Sequence, residues 1–229
     1  MKNDQLNFEI LEIKNRSATA KIALQGAHVF EYSPLDESEV LWVSQKSFFE
    51  RGRAIRGGVP ICWPWFGPHA SNSDFAQHGF VRTAMFRIKE QFDRDAYESV
   101  VILELIQTPE MREQFDYEYR LEVKVSVGER LCIELITTNL GTQSFEITAA
   151  LHSYFRVSDI ANIQLRGLDN TPFFDSLEVC EKVQIGDIGV SQEIDRVYQE
   201  VQWPLTLVDM HRDIIIDAEN SNSAVVWNP

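Results

Sequence analysis

The 229-residue chain reads as an all-β protein, a large sandwich of mainly antiparallel strands. Three observations predict this class: apolar and polar residues alternate with a period of two, short strand-like runs recur at roughly even spacing with turn residues between them, and helical periodicity is scarce. The clearest run is LEVKVSV, which puts Leu121, Val123, Val125 and Val127 on one face and Glu122, Lys124 and Ser126 on the other, the pattern of a half-buried strand. FEILEI from Phe8, TAKIAL from Thr19, VVILELI from Val100, LCIELITT from Leu131 and DIIID from Asp213 add further strands, many rich in β-branched residues. Asn139-Leu140-Gly141 and Arg166-Gly167 supply turns. One short helix is expected over PEMREQ, Pro109 to Gln114, where proline suits a first turn and an acid favours the N-terminal end.

No βαβ rhythm, internal repeat or linker interrupts the chain, so residues 1–229 are expected to form a single domain, long enough to bury a substantial core. A net charge of -14 leaves little positive field for a phosphate backbone or an anionic bilayer, which argues against nucleic-acid and membrane partners. Cys62, Cys132 and Cys180 are odd in number, far apart and set mostly in apolar runs, which reads as buried thiols in a reducing compartment rather than a disulfide frame. MKNDQLNFEILEIKN lacks a signal-type apolar core and no run approaches a membrane span, so the expected location is cytoplasmic. No metal-ligand spacing, nucleotide-binding glycine loop or serine nucleophile elbow appears, and neither metal nor cofactor is expected.

One segment departs from the strand pattern. AIRGGVPICWPWFGPHASNSDFAQHGFVR, Ala54 to Arg82, gathers prolines, glycines, aromatics, histidines and arginines into a long irregular excursion, and such connections carry function more often than they idle. Arg51, Arg53, Arg56 and Arg82 bracket it. Surface pairing with carboxylates accounts for Arg51 and Arg53 as well as an anion does, whereas Arg56 and Arg82 are the candidates for gripping a phosphate, with the Gly57-Gly58 step allowing close backbone approach. Trp63, Trp65 and Phe66, stiffened by prolines, form an apolar wall that suits either a core or the C–H face of a sugar. Core filling takes at least one of the tryptophans, and Trp63 is the candidate for the sugar. His78 in QHGFVR and His152 in ALHSYF sit in turn-rich, aromatic settings fit for proton transfer near neutral pH. His28, His69 and His211 lack such a setting and receive no role. Asp195 in EIDRVY reads on composition alone as a solvated acid.

Taken in order, AIRGGVPICWPWFGP, QHGFVR, ALHSYF with the SDI and RGL that follow it, EIDRVY and VVWNP resemble the hexose-6-phosphate mutarotases, a branch of the aldose 1-epimerase family. The resemblance implies a β-supersandwich of the galactose mutarotase type and cofactor-free interconversion of the α and β anomers of glucose 6-phosphate or a related aldohexose phosphate. It implies that His152 delivers a proton to the ring oxygen and that His78 contacts the sugar oxygens. It also implies that Asp195 binds a substrate hydroxyl and that Arg56 and Arg82, with Gln77 beside them, hold the phosphate. Phe86 stands where the family commonly has tryptophan. The family's general base is a glutamate on a strand past the WNP word. The residues through Pro229 hold no counterpart to it, so the expectation is a fold short of its C-terminal strands, weak or absent turnover, and self-association through an exposed sheet edge. The rival reading from the same residues is a non-catalytic sugar-phosphate binding or regulatory module.

Overall fold

The computed structural model describes residues 8–229; the first seven residues, part of the opening stretch searched for a leader, lie outside the described residues. Two compact units divide the chain, Met1–Arg156 and Val157–Pro229.

In the first unit, β1 (Ile10–Lys14), β2 (Ala18–Ala23) and β3 (His28–Pro34) form an antiparallel sheet in chain order. The short β4 (Ile61–Cys62) lies in the irregular excursion. A second antiparallel sheet follows, with β5 (Phe86–Asp93), β6 (Ser99–Leu105), β7 (Tyr119–Val127) and β8 (Leu131–Asn139) side by side, and β9 (Ala150–Leu151) pairs with β4. Alternation decides what each sheet buries: Ala20, Ile22 and Val29 from the first sheet and Val101, Leu103, Leu121, Val123 and Val125 from the second meet in one core. Each fully buried aliphatic side chain contributes about 1.5–3 kcal/mol over leaving it in water.

The helix α1 (Pro109–Gln114) forms over the residues expected, with proline in its first turn, the Phe115 amide bonding back to Met111 and Met111 buried. The strand β7 is more enclosed than its alternation suggests. Its polar face is covered as well: Glu122 and Ser126 are each 7% exposed. Lys89 and Arg120 reach the Glu122 carboxylate, and the Lys89 hydrogen bond holds that carboxyl below its usual range against burial, which pushes the other way. The cysteine expectation holds only for Cys62, which is buried; Cys132 is exposed and Cys180 half-buried. Strand parity explains Cys132, which shares the outward side of β8 with Glu134 and Ile136.

The second unit is again built from antiparallel strands. Its strands are β10 (Gln164–Arg166), β11 (Pro172–Asp175), β12 (Cys180–Val183), β13 (Ile188–Gly189), β14 (Ile194–Tyr198), β15 (Leu205–Val208), β16 (Asp213–Ile216) and β17 (Ala224–Asn228). They form one sheet in the order β13-β10-β15-β16 and another in the order β12-β11-β14-β17. Leu168, Phe173, Ile188, Ile194, Tyr198, Val201 and Leu205 make its core. A buried carboxylate, Asp175, accepts the amides of Leu177 and Glu178 and faces Lys182 and Arg196, so the turn after β11 is held by charge as well as by packing. Among the described residues, no helix is long and apolar enough to cross a membrane.

Candidate active site

The excursion from Ala54 to Arg82 is anchored by backbone pairing on both sides. Pairing of β4 with β9 continues past the strand ends, because the His152 amide donates to the Pro60 carbonyl and the Tyr154 amide to the Gly58 carbonyl, 2.9 Å each. The Trp42 amide takes the Tyr154 carbonyl at 2.9 Å, and the Gly58 amide takes the Trp42 carbonyl at 2.8 Å. His152 and Tyr154 are two residues apart and project to the same side. Their rings stack 4.5 Å apart at 7°. Trp42, 40% exposed, lies 6.0 Å beyond Tyr154.

His78 closes the loop that begins at Gly67. Its amide donates to the Gly67 carbonyl at 2.7 Å, and its Nδ1 accepts the Gly67 amide at 3.0 Å. An acceptor at Nδ1 puts the ring proton of neutral His78 on Nε2, leaving that nitrogen as a donor. Trp65, His69 and Phe75 pack inside the loop, and the Trp65 indole donates to the Ala76 carbonyl. His78 itself is left-handed at φ 66°, and at Gly79 a Cβ would sit 1.9 Å from the Trp63 carbonyl oxygen. The His-Gly pair is thus a backbone requirement as well as a chemical one.

Arg82, on the 3-10 turn Val81–Thr83, is the common electrostatic neighbour of the cluster. Its guanidinium donates to the Gln77 carbonyl, which holds the fork in place. Burial first, and then the charge of Arg82, lower the pKa of His78; the neighbouring His152 adds to the same effect. Burial is also the main cause lowering the pKa of His152, with Arg82 contributing. Burial raises the Cys62 thiol to about 11 and raises the Tyr154 phenol, while Arg82 pulls both back and Arg56 pulls on Tyr154 as well. His78 and His152 therefore lie near Arg82, and Tyr154 near both Arg82 and Arg56, within the first unit.

Three expectations need correction. Trp63 is 0% exposed; its indole donates to Thr137 Oγ1 and its ring packs on Phe80, Phe115 and Tyr119, so it belongs to the core and offers no face to a sugar. The aromatic rings with some exposure near the histidines are instead Tyr154, Trp42 and Phe66, the last 4.9 Å from His78. The Gly57-Gly58 step serves close packing rather than anion contact. The Gly58 amide is committed to Trp42, and a Cβ on Gly57 would lie 2.3 Å from the Trp42 carbonyl oxygen. Third, His28 has a role: it is 1% exposed, and its Nε2 lies 2.7 Å from the Gly57 carbonyl oxygen. The spacing of Tyr154 from His152 was a readable signal for that ring. Nothing local marked His28, whose partner is 29 residues away.

Asp195 lies on β14 in the second unit, directly across the ladder from Trp227 of β17. Elsewhere in the first unit a groove of about 510 Å³ is lined by Arg87, Glu104, Gln107, Arg112, Tyr119 and Arg120 among others. Arg87 is bridged to Glu104 there and no histidine lines it, so the groove lacks the proton-transfer groups gathered around Arg82. Among the described residues no group of three or more His, Cys, Asp or Glu side chains is arranged to hold a metal ion.

An all-β scaffold whose irregular excursion carries His78, Arg56 and Arg82, with His152 on the segment paired against it, defines the class, and the chain belongs to the aldose 1-epimerase family, a family of isomerases, whose pattern matches residues 9–229. It is 34% identical over 227 residues to an Escherichia coli (strain K12) protein provisionally named a glucose-6-phosphate 1-epimerase, with 97% of this chain and 74% of that protein covered. A Cenchrus ciliaris protein of the same provisional name is 31% identical over 93% of this chain and 68% of its own length. The crystal structure of YeaD from Salmonella typhimurium, provisionally called a mutarotase, superposes with a TM-score of 0.90 at 34% identity, covering 97% of this chain and 74% of that one. At 20% identity, a galactose mutarotase-like protein from Lactobacillus casei shares the fold with a TM-score of 0.75, covering 96% of this chain and 83% of that one. The fold is therefore of the galactose mutarotase type, as expected.

Proposed function

We propose that this chain binds the phosphate-bearing form of an aldohexose, glucose 6-phosphate or a close relative, and that its reaction is the exchange of α and β anomers. The observation that carries the reading is that His78 and His152 both lie in the field of Arg82, with Tyr154 stacked on His152 and acted on by both Arg82 and Arg56, in an otherwise acidic chain. Two guanidinium groups suit a phosphate dianion. Ring opening breaks the bond between C1 and the ring oxygen. That oxygen takes a proton while the anomeric hydroxyl gives one up, leaving an open-chain aldehyde that rotates about C1–C2 and recloses on the other face.

In this reading His152 gives the proton to the ring oxygen. Its lowered pKa makes its protonated form the stronger acid and a minor species at neutral pH. A phosphate dianion beside Arg82 offsets the charge that disfavours the imidazolium, so substrate itself promotes loading of the acid. His78, neutral and with its proton on Nε2, donates to a sugar oxygen. Tyr154 holds the His152 ring by stacking. Gln77 supports the clamp through its backbone carbonyl. Asp195 keeps the hydroxyl-binding role that the resemblance implies. No residue named above acts as the base at the anomeric hydroxyl; the roles proposed for these residues are binding the sugar and supplying the acid.

Anomer-resolved exchange NMR of glucose 6-phosphate tests this. The expected result is saturable broadening of the sugar's signals on binding. Fast anomerisation that disappears in His152→Ala would show that another residue of this stretch supplies the base. Absence of any protein effect on the sugar's signals would end the phosphosugar reading.

A further inference from the structure

We propose that His28 is a positioning residue for Arg56, pinning the carbonyl of the adjacent Gly57 so that the guanidinium is presented from a fixed stretch of backbone; the inference rests on the phosphate role given to Arg56 above. His28 opens β3 and is buried, and the only atom its Nε2 can serve at 2.7 Å is a carbonyl oxygen, which accepts and never donates. Nε2 therefore carries a proton.

The backbone around Arg56 is tied at each successive group. The Arg56 amide donates to Ser47 Oγ at 2.9 Å, its carbonyl accepts the Ser44 amide at 2.9 Å, and the Gly58 amide donates to Trp42. Gly57 is the exception: no backbone amide among the described residues donates to its carbonyl, and His28 meets that need. Gly57 and Gly58 have φ of 112° and 67°, a pair of conformations that turns the intervening peptide toward the interior. The fit is tight on the other side too. A Cβ on Gly58 would lie 2.7 Å from His28 Nε2 and 2.5 Å from the Val29 carbonyl oxygen. The imidazole and the glycine pair thus form one packed unit, and the GAHV and IRGG words of the sequence are complementary halves of it.

Without the imidazole donor, the Gly57 carbonyl is a buried acceptor with no partner, a state that costs enough to turn the peptide toward another donor. Arg56 moves with it. A packing role alone predicts lower stability and nothing more; a positioning role predicts loosened amides at residues 56–58 together with lost preference for the phosphorylated sugar.

The test compares His28→Phe, which keeps a ring and loses the donor, with His28→Gln, whose amide places a donor at similar reach. Hydrogen exchange is read at the Arg56 and Gly58 amides, and affinities are measured for glucose 6-phosphate and glucose. Expected for His28→Phe are exchange faster by roughly tenfold or more at both amides and a fall of roughly tenfold in the preference for the phosphorylated sugar, with His28→Gln restoring both. If His28→Phe does not fold, His28→Asn, whose amide stops short of the carbonyl, makes the same comparison. A folded donor-less variant with wild-type exchange at Arg56 and Gly58 overturns the inference. If the unmodified protein shows no preference for the phosphorylated sugar, the phosphate reading fails, and the exchange rates alone decide whether His28 orders this backbone.

Discussion

Burial foremost, with the charge of Arg82 adding to it, lowers the pKa of each imidazole around the cluster. His28 carries the largest consequence, because it is enclosed: burial foremost, with Arg82 adding, pushes its pKa down to about 4 from the ordinary 6.5, against the hydrogen bond to Gly57. A histidine whose folded pKa lies below its unfolded one is protonated in the unfolded chain first. Stability is then complete above the unfolded pKa and is lost as pH falls toward the folded one. For His28 the window runs from pH 6.5 to about 4 and the loss amounts to ~3 kcal/mol, with His78 and His152 acting in the same direction. Urea unfolding across that range should show the decline, and His28→Gln, which cannot titrate, should flatten it. Parallel profiles for the two proteins would mean that His28 does not carry the linkage.

At the scale of elements, alternation was enough to place strands: the runs read from Phe8, Thr19, Val100, Leu131 and Asp213 all lie on observed strands, and PEMREQ is the one α-helix among the described residues. Local pattern fails where burial is decided by what packs from elsewhere. Glu122 has the parity of a solvent-facing residue, yet Lys89 and Arg120 close over it. Trp63 sits among prolines and glycines as a ligand platform would, yet its ring is claimed by Phe80, Phe115 and Tyr119 and its N–H by Thr137, 74 residues on. Trp63→Ala should therefore cost ~3–5 kcal/mol in denaturant unfolding, as expected for a fully buried aromatic. A variant of unchanged stability that bound sugar poorly would return Trp63 to the site. By contrast the close spacing of Tyr154 to His152 carried a signal that the reading of ALHSYF did not use, while His28 carried none, since its meaning depends on a carbonyl reached only in the folded state.

The whole molecule sets a selective problem for the proposed phosphosugar, because a chain of net charge -14 would have to attract an anion. Long-range field works against it, so recognition would have to be local, with Arg56 and Arg82 as the proposed local positive charge. The words that revealed the family are those in which backbone and chemistry are required together. His78-Gly79 needs a left-handed turn beside the proposed donor, and Arg56-Gly57-Gly58 needs close strand approach beside the proposed cation. Composition could not have found Asp195, which the resemblance alone singles out and which the structure sets beside Trp227 on the second unit's sheet.

The most direct measurement is a calorimetric comparison of glucose 6-phosphate with glucose, for the unmodified protein and for Arg82→Gln. A guanidinium clamp predicts binding of the phosphorylated sugar at least ~10-fold tighter than of glucose, and collapse of that difference in the variant, as expected when a charge-assisted contact to phosphate is removed. Equal affinity for the two sugars, or a preference that survives the loss of Arg82, would contradict the account.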